Sequence, residues 1–135
     1  MAASECFFTI EVDPKTIPTA QHKRMSTRGG KPVFYDSAQM KRAKTELLLR
    51  LKENSPTEPI RGPVKLSTMW MYHSDKHAER AYKTTRPDTD NVIKAFKDCM
   101  TRTGFWDDDS QVVYEITQKV WTKGPGMIVV LVEKL

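Results

Sequence analysis

Residues 127 to 132 read MIVVLV, six consecutive apolar side chains close to the end of the chain. Successive side chains of a strand point to opposite faces, so this strand is apolar on both, and a sheet that contains it has to be covered. Three further extended segments precede it. In residues 6 to 12, CFFTIEV, Cys6, Phe8, Ile10 and Val12 fall on one side of the chain, with Phe7, Thr9 and Glu11 on the other. From 63 to 72, Val64, Leu66, Thr68, Trp70 and Tyr72 alternate with Lys65, Ser67 and Met69. Val112, Tyr114, Ile116 and Val120 alternate along the third, and the KGPG that follows turns the chain into MIVVLV, which predicts a C-terminal hairpin.

Two segments have helical spacing instead. Asp36 is placed to cap a helix, with Gln39 three positions on and Tyr35 set to staple onto Met40. Met40, Ala43, Leu47, Leu48 and Leu51 continue it to about Asn54, and a short extended piece, PVFY, precedes it. Lys41, Arg42 and Lys44 sit in its first turns, where the helix dipole does not favour cations. The second helix starts at Pro87, carries the stripe Val92, Ile93, Phe96, Cys99 and Met100, and stops at Gly104. Such a stripe serves a monomer core or a subunit interface, and the sequence does not choose. The order β-α-β-α-β-β predicts an α+β fold: a mixed sheet of about four strands packed against two main helices. At 135 residues the chain reads as one domain, 1 to 135.

No apolar run is long enough to span a bilayer, and the opening MAASECFFTI lacks a basic start followed by an apolar stretch. The expectation is a cytoplasmic protein without a membrane partner. Cys6 and Cys99 each lie inside an apolar pattern, which predicts reduced thiols. Lys and Arg outnumber Asp and Glu by 22 to 17, and they cluster at 22 to 31, 41 to 44 and 76 to 86. That bias points to a polyanionic partner, although each cluster taken singly is also an ordinary solvated face.

Against this basic background, RPDTDNVIKAFKD (86–98) and WDDDSQ (106–111) hold five aspartates in two tight knots, Asp88 with Asp90 and Asp107 with Asp108 and Asp109. A helix N-terminus welcomes carboxylates, but only one side chain occupies the N-cap, so the second acid is surplus. If the knots meet, a divalent cation makes the cluster tolerable, and all-oxygen donors suit Mg²⁺ or Mn²⁺ rather than zinc. In a basic protein such a pocket suits hydrolysis of a phosphodiester. The intervening helix is some 20 Å long, so meeting requires the third strand's start to return toward the helix N-terminus. Lys94 lies one turn after Asp90, where an i,i+4 ion pair and a role in stabilising transition-state charge are both open.

The acid pair followed by Asn91 and Lys94 in RPDTDNVIKAFKD, then GFWDDDSQV, resembles the RusA family of Holliday junction resolvases. The likeness is strong over about 86 to 113. HKRMSTRGGKPVFYD, at 22 to 36, is similar to the basic loop and short strand of phage-type members. The resemblance implies a Mg²⁺- or Mn²⁺-dependent endonuclease that acts as a homodimer and nicks opposed strands of a four-way DNA junction. It maps the catalytic aspartates onto Asp88, Asp90 and Asp109, with Lys94 as the essential lysine and Asp108 as a neighbouring metal ligand. Asp107 stands where the family can carry an apolar residue, which leaves the ligands within 107 to 109 open. DNA contacts are expected from Lys23, Arg24, Arg28, Lys31, Lys83 and Arg86.

Other classes are less well served. STRGGK lacks P-loop spacing, so no nucleotide cofactor is expected. His73 and His77 flank Asp75 but have no cysteine pair or third histidine to complete a zinc site. A non-catalytic DNA-binding protein and a nuclease for flaps or forks remain as alternatives.

Overall fold

The computed structural model describes residues 5–17, 19, 24–26, 33–35 and 38–135. Its elements run β1 (Glu5–Glu11), a 3₁₀ turn (Pro14–Thr16), β2 (Arg24–Ser26), β3 (Val33–Tyr35), α1 (Ala38–Asn54), β4 (Val64–His73), α2 (Thr89–Arg102), a second 3₁₀ turn (Asp109–Gln111), β5 (Val112–Thr122) and β6 (Met127–Lys134). The main sheet is mixed and four-stranded in the order β1-β6-β4-β5, and β2 and β3 form a separate antiparallel pair. The predicted α+β class and the element order are thus observed. The expected basic loop around Gly29 and Gly30 lies outside the described residues. The Asp36 cap lies outside the described residues.

Helix packing follows the alternation. Phe8 and Ile10 of β1, Leu66, Trp70 and Tyr72 of β4, and Ile128, Val130 and Val132 of β6 are buried in one core with Leu47 and Leu51 of α1 and Val92, Ile93, Phe96, Cys99 and Met100 of α2. Trp70 meets Phe96 edge-on at 5.1 Å between ring centroids. The apolar stripe of α2 is therefore spent on the core, and the helix has no apolar face left over for a partner. Cys6 and Cys99 are free thiols, with Cys99 buried and its pKa raised by loss of solvent. No described helix is long and apolar enough to cross a membrane.

The expected C-terminal hairpin does not form. β6 pairs antiparallel with β1 and β4, while β5 lies on the far side of β4 and runs parallel to it. Residues 123 to 126 thus bridge two strand spacings, about 9.6 Å, which is within reach of four residues. The closeness of this bridge to the start of the chain explains Gly126, where a Cβ would come within 2.9 Å of Pro14 Cδ. Burial is the physical reason for the order. The strand apolar on both faces takes an interior place, and the polar-rich β5 takes the edge. Its apolar alternation also points away from the helices. Glu115, Thr117 and Lys119 register with Leu66, Thr68 and Trp70 on the helix side, whereas Tyr114 and Ile116 register with Lys65 and Ser67 on the open face.

Candidate active site

The N-terminus of α2 is held from below by β5. Lys119 Nζ donates to the carbonyls of Thr85 at 2.8 Å and Pro87 at 2.6 Å, which fixes the chain entering the helix. Asp88 occupies the N-cap with extended backbone, but its side chain makes no capping hydrogen bond. Backbone donors are instead taken up by its own carbonyl, which accepts from the N–H of Asn91 and of Val92. Asp90 lies in the first turn, exposed. Among the described residues, neither carboxylate has a hydrogen bond or ion-pair partner. Two surplus acids therefore stand side by side at the helix end whose dipole attracts negative charge.

Lys94 lies one turn farther along α2 and is exposed. The Asp90–Lys94 ion pair that the spacing allows is not formed. Lys97, another turn on, is the lysine that pairs, with Glu115 of β5 at 3.1 Å. Asp90, Lys94, Lys97, Glu115 and Thr117 line one open groove of about 540 Å³ between α2 and the sheet edge. Sequence reasoning missed Glu115, Thr117 and Lys119. Their signal was the alternation Glu-Thr-Lys at 115, 117 and 119, a polar stripe on one side of a strand.

The second acidic knot is built differently. Phe105 N–H donates to the carbonyl of Met100, and Trp106 Nε1 donates to Thr101 Oγ1 at 2.7 Å, so the chain folds back tightly on the C-terminal end of α2. Asp108 caps the second 3₁₀ turn: its carboxylate accepts from Ser110 N–H at 2.9 Å, while Gln111 Oε1 accepts from the Asp107 and Asp108 N–H groups. Hydrogen bonds from Ser110 hold the Asp108 carboxyl below its ordinary range. Asp108, proposed above as a ligand, thus has a structural occupation that Asp107 and Asp109 lack. Asp107 is exposed and Asp109 half-buried. Gln111 Nε2 ties the turn to the carbonyls of Ile60 at 2.9 Å and Gly62 at 3.0 Å, just before β4.

The two knots consequently lie at opposite ends of α2, and the return that the sequence left open does not occur within one chain. Among the described residues, no three His, Cys, Asp or Glu side chains gather into a metal-binding group. His77 stacks on Trp121 at 4.2 Å and hydrogen-bonds Ser74 through Nδ1, while His73 faces Asp75 at 3.6 Å.

The expected DNA-contacting cations separate into three sets. Lys23, Arg28 and Lys31 lie outside the described residues, and Arg24 begins β2. Arg86 is exposed beside Asp88. Lys83 is turned inward: it is 9% exposed, donates to Thr85 Oγ1 at 2.5 Å and the Arg86 carbonyl at 2.6 Å, and lies over the rings of Trp121 and Tyr72 at 4.6 and 5.1 Å. Burial foremost, then the positive charges of Lys119 and Lys15, pulls its pKa down. Its charge is used to brace the loop leading into Asp88.

Comparison with known proteins bears on the family of the chain. The family model described as "Endodeoxyribonuclease RusA" matches residues 15–132. A protein of Lactococcus phage r1t named "Crossover junction endodeoxyribonuclease rusA" is 36% identical over 117 residues, which covers 84% of this chain and 86% of the phage protein. The protein YqaN of Bacillus subtilis (strain 168), whose function is uncharacterized, is 33% identical over 129 residues, covering 86% of this chain and 90% of YqaN.

Proposed function

Because the chain belongs to the RusA family of endodeoxyribonucleases, we propose that it resolves four-way DNA junctions by metal-dependent phosphodiester hydrolysis, with Asp88, Asp90 and Lys94 at the centre of the reaction. The observation that carries this reading is the pair of unengaged carboxylates at the start of α2. Asp88 sits at the cap and does not cap; Asp90 has a lysine one turn away and does not pair with it. Groups that give the fold so little are the ones free to work on a substrate.

The donor set fits a hard divalent cation. Both side chains offer only carboxylate oxygens, and the described residues lining the groove at Asp90 include neither a thiol nor an imidazole, which suits Mg²⁺ or Mn²⁺. When bound, such an ion supplies a water of lowered pKa and neutralises charge on the scissile phosphate. The chain's own residues do the rest. Asp88 and Asp90 hold the ion, and the Lys119 bridges keep the cap residue in register with the strand below it. The Lys94 ammonium, which has no ion-pair partner among the described residues, offsets charge as it develops on the phosphate oxygens. Arg86 and the cations of 22 to 31 hold flanking phosphates. A homodimer acting in the cytoplasm would place one such site on each of two opposed strands, matching the two-fold symmetry of the junction.

Asp90→Asn separates this from a purely structural reading. The swap keeps size and capping ability while removing the charge. Expected results are undiminished affinity for a synthetic four-way junction, because one charge that repels phosphate has gone, and loss of nicking in Mg²⁺ or Mn²⁺. Wild-type nicking by the folded variant, or by the wild-type protein in excess chelator, refutes the proposal. Parallel assays on flap, fork and linear duplex substrates test the choice of junction.

A further inference from the structure

A separate cavity of about 320 Å³ is walled in part by Arg86 and Pro87, the two residues that precede Asp88. Two residues of chain reach about 7 Å at most, so the cavity and the acid pair are neighbours. Tyr72 and Trp121, also in its wall, stand in register at the carboxyl ends of the parallel strands β4 and β5. In sheets with helical crossovers, that end is where ligands are received. Pro14 adds a further apolar surface.

The polar groups of the cavity are few and incompletely used. Tyr72 is 1% exposed, and its buried hydroxyl has no hydrogen-bond partner among the described residues. Buried hydroxyls are ordinarily satisfied. Loss of solvent, then the negative charge of Asp13, pushes the Tyr72 pKa up, so the hydroxyl keeps its proton and can both donate and accept. The Lys83 ammonium has three N–H donors; two go to Thr85 Oγ1 and the Arg86 carbonyl, which leaves one. Lys15 and Arg86 are exposed and have no ion-pair partner among the described residues. No Asp or Glu is among the residues that line the cavity.

This lining selects its occupant. A bare phosphate would give up its water against two prolines and two aromatic rings in exchange for two inward donors, which is unfavourable. A base stacked on Trp121 does not fit either, because His77 and Lys83 already lie over that ring. A flat heterocycle with a hydrogen-bonding edge and a phosphate attached matches each part: apolar walls for the ring, Tyr72 and Lys83 for its edge, Lys15 and Arg86 for the phosphate. We propose that the cavity receives one nucleobase of the DNA substrate, turned out of its stack beside the scissile phosphate, and that Tyr72 and Lys83 read its edge. Turning a base out costs least where pairing is already interrupted, as at a branch point. The inference rests on the junction-cleaving activity proposed above.

The test uses the full-length protein and four-way junctions with the fluorescent base 2-aminopurine, which stacking quenches, at each nucleotide flanking the mapped cut. With wild-type protein in excess chelator, fluorescence should rise several-fold at one flanking position, and no rise at any of them overturns the inference. Nicking in Mg²⁺ is then compared for the four natural bases at that position. Tyr72→Phe should lower the ratio between the best and the worst base by about two- to tenfold, the worth of one hydrogen bond. Its Tm should equal or exceed that of the wild type, because the hydroxyl has no partner within the fold. An unchanged ratio, or a lower Tm that reveals an internal partner, overturns the inference. A junction with an abasic nucleotide at the same position should be nicked more slowly than the intact one, and equally by the wild type and by Tyr72→Phe. Wild-type nicking of the abasic junction at the intact rate would assign the cavity to the phosphate alone and overturn the reading of a base. Wild-type protein that nicks no junction in Mg²⁺ refutes the proposed activity and this inference with it, whereas nicking without extrusion overturns the inference alone.

Discussion

Replacing Asp88 asks whether the helix or the chemistry needs its carboxylate. Losing a side chain that caps a helix ordinarily costs about 0.5–2 kcal/mol. Asp88 makes no such bond, so Asp88→Ala forfeits only the attraction between its charge and the helix dipole, about 0.3–1 kcal/mol for an exposed group. Relief of repulsion from Asp90 offsets part of that. The expected loss of stability is below about 1 kcal/mol, a fall in Tm of about 3 °C for a chain of this size. Nicking should fall far more. Misplacing a cation that contributes several kcal/mol to the transition state costs on the order of a thousandfold, at about 1.4 kcal/mol for each factor of ten. Urea unfolding and single-turnover nicking of a four-way junction on the same preparations read both quantities. Asp88→Ser is the control: serine is a good cap, so it should be at least as stable as the wild type and still inactive. A loss near 2 kcal/mol in the alanine variant, with serine restoring both stability and nicking, would show that Asp88 is a cap after all.

Gln111→Ala removes four hydrogen bonds that tie the Asp107–Asp109 turn to itself and to Ile60 and Gly62, and should cost about 2–3 kcal/mol in urea unfolding. Nicking by that variant should fall as well, because the turn that presents Asp109 loosens. Asp108 has a folded pKa below its unfolded value, so its contribution to stability is complete above about pH 4 and is lost as pH falls through the folded value. The stability gap between wild type and Asp108→Asn should therefore be open at pH 7 and narrow as pH falls below about 4, and a gap that is constant with pH would refute the assignment. Replacing Lys23, Arg24 and Arg28 together by Ala should weaken junction binding and flatten its dependence on log salt by up to about three units. An unchanged slope would show that these cations do not touch the phosphate backbone.

What the sequence made legible follows from the range of the interactions involved. Helix and strand periodicities are local, so the stripes of α1 and α2 and the alternation of β1 and β4 could be read directly from Leu47, Phe96, Phe8 and Trp70. The acid pair was legible for the same reason: Asp88, Asp90 and Lys94 lie within two turns of one helix. Strand order is not local. KGPG looked like a hairpin turn because four residues suffice for one, yet the same four residues can cross over a neighbouring strand, and only competition for burial decides between the two. MIVVLV won the interior and displaced β5 to the edge, with Glu115, Thr117 and Lys119 turned toward α2. That displacement also governs the site. In a hairpin, β5 and β6 would each cover an edge of the other. A parallel β4-α2-β5 crossover instead sends the helix back along the sheet and leaves its two acidic ends a helix length apart, one at each end of a strand with a free outer edge.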